Sequence, residues 1–116
     1  MNLFHLNGFN ADEALDEWSL VFKRNKGYVE KKDMYKCIVE VAEDSHEYSE
    51  VQPKNGGDSF VPDSNEGEEF TVFVKEKPVF KKFSPVTIDG VENAYVMGKN
   101  KNYGKAYFEA NRLVEI

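Results

Sequence analysis

The sequence predicts a mostly β protein, a small closed barrel of five strands with a short helix near the N-terminus and a long acidic loop. Three observations carry that prediction. Phe70-Thr71-Val72-Phe73-Val74 is filled by β-branched and aromatic residues. Apolar and polar residues alternate from Met34 to Ala42, and 84–97 and 105–115 add two more extended runs. Such residues fit a pleated, half-buried surface, and a period of two is the signature of a strand. At 116 residues the chain is one domain, residues 1–116, with a single core. Closing five strands into a barrel removes the edges that would template aggregation.

Taken in order, Asn2 to Phe9 is a short apolar stretch able to form a strand. Asn10-Ala11-Asp12-Glu13 has the character of a helix start, with Asn10 as cap and Glu13 at the capping-box position. Ala14, Leu15, Trp18, Val21 and Phe22 recur at helical spacing, yet Trp18, Leu20 and Phe22 also alternate as in a strand. Two readings stand: a helix over 11–17 followed by a strand over 18–24, or one helix to Arg24 with the N-terminal strand at 2–8. Asn25-Lys26-Gly27 is expected to break the element. In the next strand Tyr35, Cys37, Val39 and Val41 share the apolar face and are expected to look inward. Residues 43–67 are acidic and rich in Pro, Gly, Asn and Asp, which predicts a long loop, with Phe60-Val61 pinning it to the body. Pro78 and Pro85 bracket a segment too short for a helix. Asp89-Gly90 between apolar runs signals a type I′ turn, so 84–97 reads as one bent or hairpinned strand. A basic segment, Gly98 to Lys105, precedes the closing strand.

Composition narrows the function. No apolar run of membrane-spanning length occurs, the N-terminus lacks the pattern of a signal peptide, and Cys37 has no second cysteine to pair with. The expected setting is the cytoplasm, with no membrane partner. His5 and His46 lack metal-ligand spacing, and Cys37 lies on an apolar strand face as an inert thiol. No phosphate-binding glycine loop or nucleophile elbow is present. Glu66, Glu68 and Glu69 read as loop solvation rather than an acid–base pair. The expectation is a binding protein rather than an enzyme, with no metal and no cofactor.

The net charge of −6 hides a segregation. Residues 20–36 carry six bases against two acids, 75–105 carry seven bases against three acids, and 40–70 carry ten acids against one base. A nucleic-acid binder needs a local basic surface rather than a basic average. The chain also holds nine Phe, six Tyr and one Trp, more than a small core requires. Lysine and aromatic residues interleave in four clusters. Lys23, Arg24, Lys26 and Tyr28 form the first; Lys31, Lys32 and Tyr35 the second; Phe80, Lys81 and Lys82, with Phe83, the third; Lys99, Lys101, Tyr103 and Lys105 the fourth. Tyr28 and Tyr103, beside glycine in polar segments, are the leading candidates for stacking on bases. Phe73 and Phe108 read as core, Trp18 as a core anchor, and Phe80 and Phe83 serve equally well as anchors or as platforms.

The strand order, the basic Gly98–Lys105 loop and the closing Lys105-Ala106-Tyr107-Phe108-Glu109-Ala110-Asn111-Arg112-Leu113 resemble a single-stranded-DNA-binding OB barrel. In length and character, over residues 34–116, the chain is similar to the small single-stranded-DNA-binding proteins of lactococcal phages. The resemblance implies largely sequence-independent binding of single-stranded DNA in phage DNA replication or recombination, in the host cytoplasm. Replication or recombination proteins would be further partners, and a homo-oligomer, dimer or tetramer, the expected assembly. The alternative is an acidic protein-binding or DNA-mimic module acting on a host factor through residues 40–70.

Overall fold

The structure is a computed structural model that describes residues 15–45, 57–58, 65–97 and 105–116. Five strands make up most of it: β1 (Trp18–Val29), β2 (Met34–Asp44), β3 (Glu69–Val74), β4 (Pro85–Met97) and β5 (Lys105–Glu115). They close in the order β1-β2-β3-β5-β4, and β4 returns to β1. β3 and β5 run parallel, and every other neighbouring pair is antiparallel. The molecule is thus an OB-like five-stranded barrel. Among the described residues no helix is long and apolar enough to cross a membrane.

Of the two readings near the N-terminus, the structure selects the strand. Residues 15–17 are helical, and β1 begins at once at Trp18. Trp18, Leu20 and Phe22 face the core while Ser19, Val21 and Lys23 between them do not, so the period is two, not 3.6. The strand reading is also exceeded, because Asn25-Lys26-Gly27 bends β1 without ending it. The register against β2 shifts between Phe22 and Arg24 and again between Asn25 and Gly27. Gly27 takes φ 108, and its N–H donates to Asn25 Oδ1 at 2.8 Å. A glycine accepts that conformation without steric cost and lets the strand kink and resume, as bulges do.

Asp89-Gly90 is likewise not a hairpin. It lies inside β4, which pairs with β5 on both sides of it, Asp89 with Arg112 and Val91 with Ala110. Gly90 has φ 69, so the left-handed residue that a turn would demand is spent on bending a long strand. The 75–84 segment carries no helix, in keeping with its prolines. The acidic loop begins two residues later than expected, since β2 runs through Asp44, and ends one residue later, since β3 starts at Glu69. Its ends are tied down. Gly67 N–H donates to Val41 O at 2.8 Å and Val41 N–H to Glu68 O at 2.9 Å. The N–H of Asn65, a fully buried residue, donates to Asp44 Oδ2 at 3.0 Å. Phe60 and Val61 lie outside the described residues.

The core is built from the inward faces. Cys37, Val39 and Val41 of β2, Phe70, Val72 and Val74 of β3, and Ala106, Phe108 and Ala110 of β5 form one cluster with Trp18, Leu20 and Phe22 of β1. Trp18, Phe70 and Phe108 run ring against ring, with centroids 5.7 and 5.3 Å apart. The small Ala106 and Ala110 flank Phe108 on β5, which leaves room for its ring at the barrel centre. Tyr35 joins this core only in part.

Candidate nucleic-acid interface

Because Cys37, Val72 and Phe108 point inward, their neighbours must point out. Strand register then aligns the outward residues in two rows across the barrel. In one row Lys36 lies opposite Phe73, and Phe73 opposite Glu109. In the other, Ile38 lies opposite Thr71, Thr71 opposite Tyr107, and Tyr107 opposite Tyr95. The rings of Tyr95 and Tyr107 stack with centroids 5.4 Å apart and planes 8° from parallel. Beside them runs an open groove of about 250 Å³ lined by Lys36, Ile38, Glu69, Thr71, Lys105 and Tyr107. Flat aromatic surface and two lysines therefore share one sheet face.

Phe73 has an unusual place on this face. It is 7 % exposed, yet it is not part of the core cluster, because it sits on the outside of β3. What covers it is Lys32, from the turn over 30–33, whose Nζ lies 4.7 Å from the ring centroid. Nζ also donates to Glu109 Oε2 at 2.7 Å. That hydrogen bond is the main reason the ammonium is held above its ordinary range, against a smaller opposing effect of burial, and Tyr95 adds to it. Phe73 is thus buried, as the core reading expects, but on the outer side of β3 and apart from the main cluster.

The remaining candidates separate into two groups. Lys26 on β1 and Lys31 in the 30–33 turn are exposed and make no ion pair among the described residues. Tyr28 is half exposed, as expected, but it is not a loose platform. Its ring packs edge-on against Tyr35, with centroids 5.3 Å apart. Its hydroxyl donates to Asp33, and this bond raises the phenol above its ordinary pKa. Tyr35 is half-buried and serves to seat Tyr28.

On the β1 flank the charges are already neutralised. Lys23 Nζ lies 3.3 Å from Glu40 and 3.6 Å from Glu69, and its side chain is only 13 % exposed. Arg24 reaches the same Glu69 at 3.8 Å. Phe80 is an anchor, its edge set on Phe22 at 5.7 Å. Phe83, 56 % exposed, is the open ring of that segment, with Lys23 and Lys82 over it at 4.6 and 5.3 Å. Backbone bonds from Phe83 N to Phe22 O and from Phe22 N to Ser84 O hold it there, 2.6 and 2.8 Å long. Lys81 is exposed.

Lys105 opens β5 opposite Met97 and lines the groove. Lys99, Lys101 and Tyr103 lie outside the described residues. The face itself holds four residues that sequence reasoning did not single out as site residues: Lys36, Tyr95, Tyr107 and, as a surface ring, Phe73. The signal for them was the phase of each strand. Once Cys37, Val72 and Phe108 are inward, the residues one step away belong outside. Cys37 is buried, which pushes its thiol up to about 12, and it takes no part in the face. No protein-family model matches the chain, and comparison with curated proteins and with solved structures returns no match.

Proposed function

We propose that the chain is a non-catalytic binder of single-stranded DNA, largely indifferent to sequence, acting in DNA replication or recombination. The observation that carries the reading is the outer face of β2, β3 and β5. There the stacked Tyr95 and Tyr107 stand beside a groove edged by Lys36 and Lys105. A single strand offers unstacked bases and a line of phosphates. Aromatic faces accept the bases at about 1–3 kcal/mol each, whatever their identity, and lysines displace the condensed counterions. The lysines of the 30–33 turn stand near one end of this face, and Lys105, opposite Met97, stands at the other. A duplex keeps its bases stacked inside and cannot use the rings.

The test is a titration of a 5′-labelled oligo(dT) followed by fluorescence anisotropy at several salt concentrations, with the matching duplex as control. Saturable binding that weakens with salt and is far poorer for duplex is the expected result. No binding at low salt would overturn the reading and turn attention to the acidic residues of 40–70 and a host protein partner. Sedimentation with and without oligonucleotide tests the accompanying proposal that the chain works as a homo-oligomer.

A further inference from the structure

Lys32 and Glu109 are 77 residues apart in sequence and meet over Phe73. The contact joins the 30–33 turn to β5 across the face that carries the aromatic rows. A lysine of this kind, at a loop tip beside a binding face, ordinarily stays hydrated. Here its Nζ is held at 2.7 Å by a carboxylate and lies 4.7 Å from the centroid of the buried Phe73 ring, on the outer side of the sheet. Glu109 is placed by strand register, directly opposite Phe73 on β3 and Asn93 on β4. The arrangement is a cation, an anion and a flat apolar surface within one side chain's reach of one another. These are the parts needed to hold one nucleotide, except that the anion belongs to the protein.

We propose that the Glu109 carboxylate occupies, in the free protein, the position of a phosphate of the bound strand, and that Lys32 and Phe73 together form a one-nucleotide subsite which opens when Glu109 is displaced. The inference rests on the proposed single-stranded-DNA binding. On binding, the Lys32 ammonium exchanges its carboxylate partner for a phosphate oxygen, and its movement off the ring uncovers Phe73 for a base. Glu109 is a gating residue: it contributes nothing to the bound state and sets the cost of reaching it. Two other acids are engaged elsewhere, Glu92 of β4 by Lys75 at 2.6 Å and Asp33 of the turn by the Tyr28 hydroxyl.

The experiment is a double-mutant cycle on the intact chain with oligo(dT), comparing wild type, Glu109→Gln, Lys32→Ala and the double variant. Glu109→Gln keeps the shape and removes the charge. It is expected to tighten binding about twofold to fivefold, the range in which an exposed ion pair is measured. The slope of log K against log salt is expected to stay as in wild type, because Lys32 meets a phosphate in the bound state of both proteins. In the Lys32→Ala background the same change should leave the affinity unaltered. An equal gain in both backgrounds would mean that Glu109 acts only as a general negative charge, and would overturn the subsite. No gain in either would overturn it too. The readouts separate the two claims, since wild type that binds oligo(dT) with no coupling between Lys32 and Glu109 refutes the subsite alone. Wild type that does not bind refutes both. A thermal melt followed by Trp18 emission verifies that each variant is folded, because Trp18 lies in the core, away from the face.

Discussion

Gly90 shows how much one residue can decide. It sits mid-strand at φ 69, and a Cβ built there would lie 2.8 Å from Asn111 Cγ. Gly90→Ala should therefore lower stability by about 2 kcal/mol, roughly half from the left-handed backbone and half from the collision. Urea unfolding would measure it, and adding Asn111→Ala should restore the steric half only. Phe108, fully buried between Ala106 and Ala110, is the costliest ring to remove; Phe108→Ala should lose about 3–5 kcal/mol by the same assay. Cys37 predicts a chemical outcome. Its thiol ionises near 9.0 when unfolded and near 12 when folded. The folded state holds it neutral, so the unfolded state alone gains from ionisation above pH 9, and stability should fall between those two values. A disulfide-exchange reagent at pH 8 should find no reactive thiol in the native protein and one after denaturation.

Elements rather than single residues decide the site. β2, β3 and β5 present Lys36 and Tyr107 outward in adjacent rows, while β1 presents Lys23 into a cage of two carboxylates. The two lysines should behave differently. Lys36→Ala should reduce the salt slope of oligo(dT) binding by about 0.7, whereas Lys23→Ala, whose charge is already matched, should leave the slope unchanged. Tyr107→Ala should cost about 1–3 kcal/mol of affinity through lost stacking. Much of this scale was legible in the sequence. The alternation from Met34 to Ala42 and the dense run at 70–74 name their strands and their inward faces directly. Less legible were the places where glycine changes the path of a strand. Gly27 and Gly90 carry the same local signal as turns, and only pairing with a distant partner strand shows that the chain continues. The lysine clusters were legible as charge but not as free charge. Nothing local to Lys23 reveals that Glu40 and Glu69 will lie beside it, because those neighbours come from other strands. Phe73 was legible as a buried ring but not as the seat of Lys32, which comes from a turn some forty residues earlier.

At the scale of the molecule, the closed barrel has one short seam. β1 and β4 pair only at Leu20 with Val86 and Val21 with Pro85, whereas β1 and β2 pair along their whole length. Native-state hydrogen exchange should show the seam amides, Phe22 among them, exchanging well before those of Val39 and Val72. Equal protection across both would mean that the barrel opens only by global unfolding. The place of β5 has a consequence of another kind. Among the described residues it is the last strand, yet it stands between β3 and β4 and pairs with both. Until it arrives, β3 and β4 each lack the neighbour they pair with in the barrel, and the core lacks Phe108. A ribosome making this protein therefore cannot release the barrel in stages. Everything from Trp18 onward must wait, exposed, for residues 105–115 to clear the exit tunnel, which at about 5–20 residues per second is a wait of several seconds.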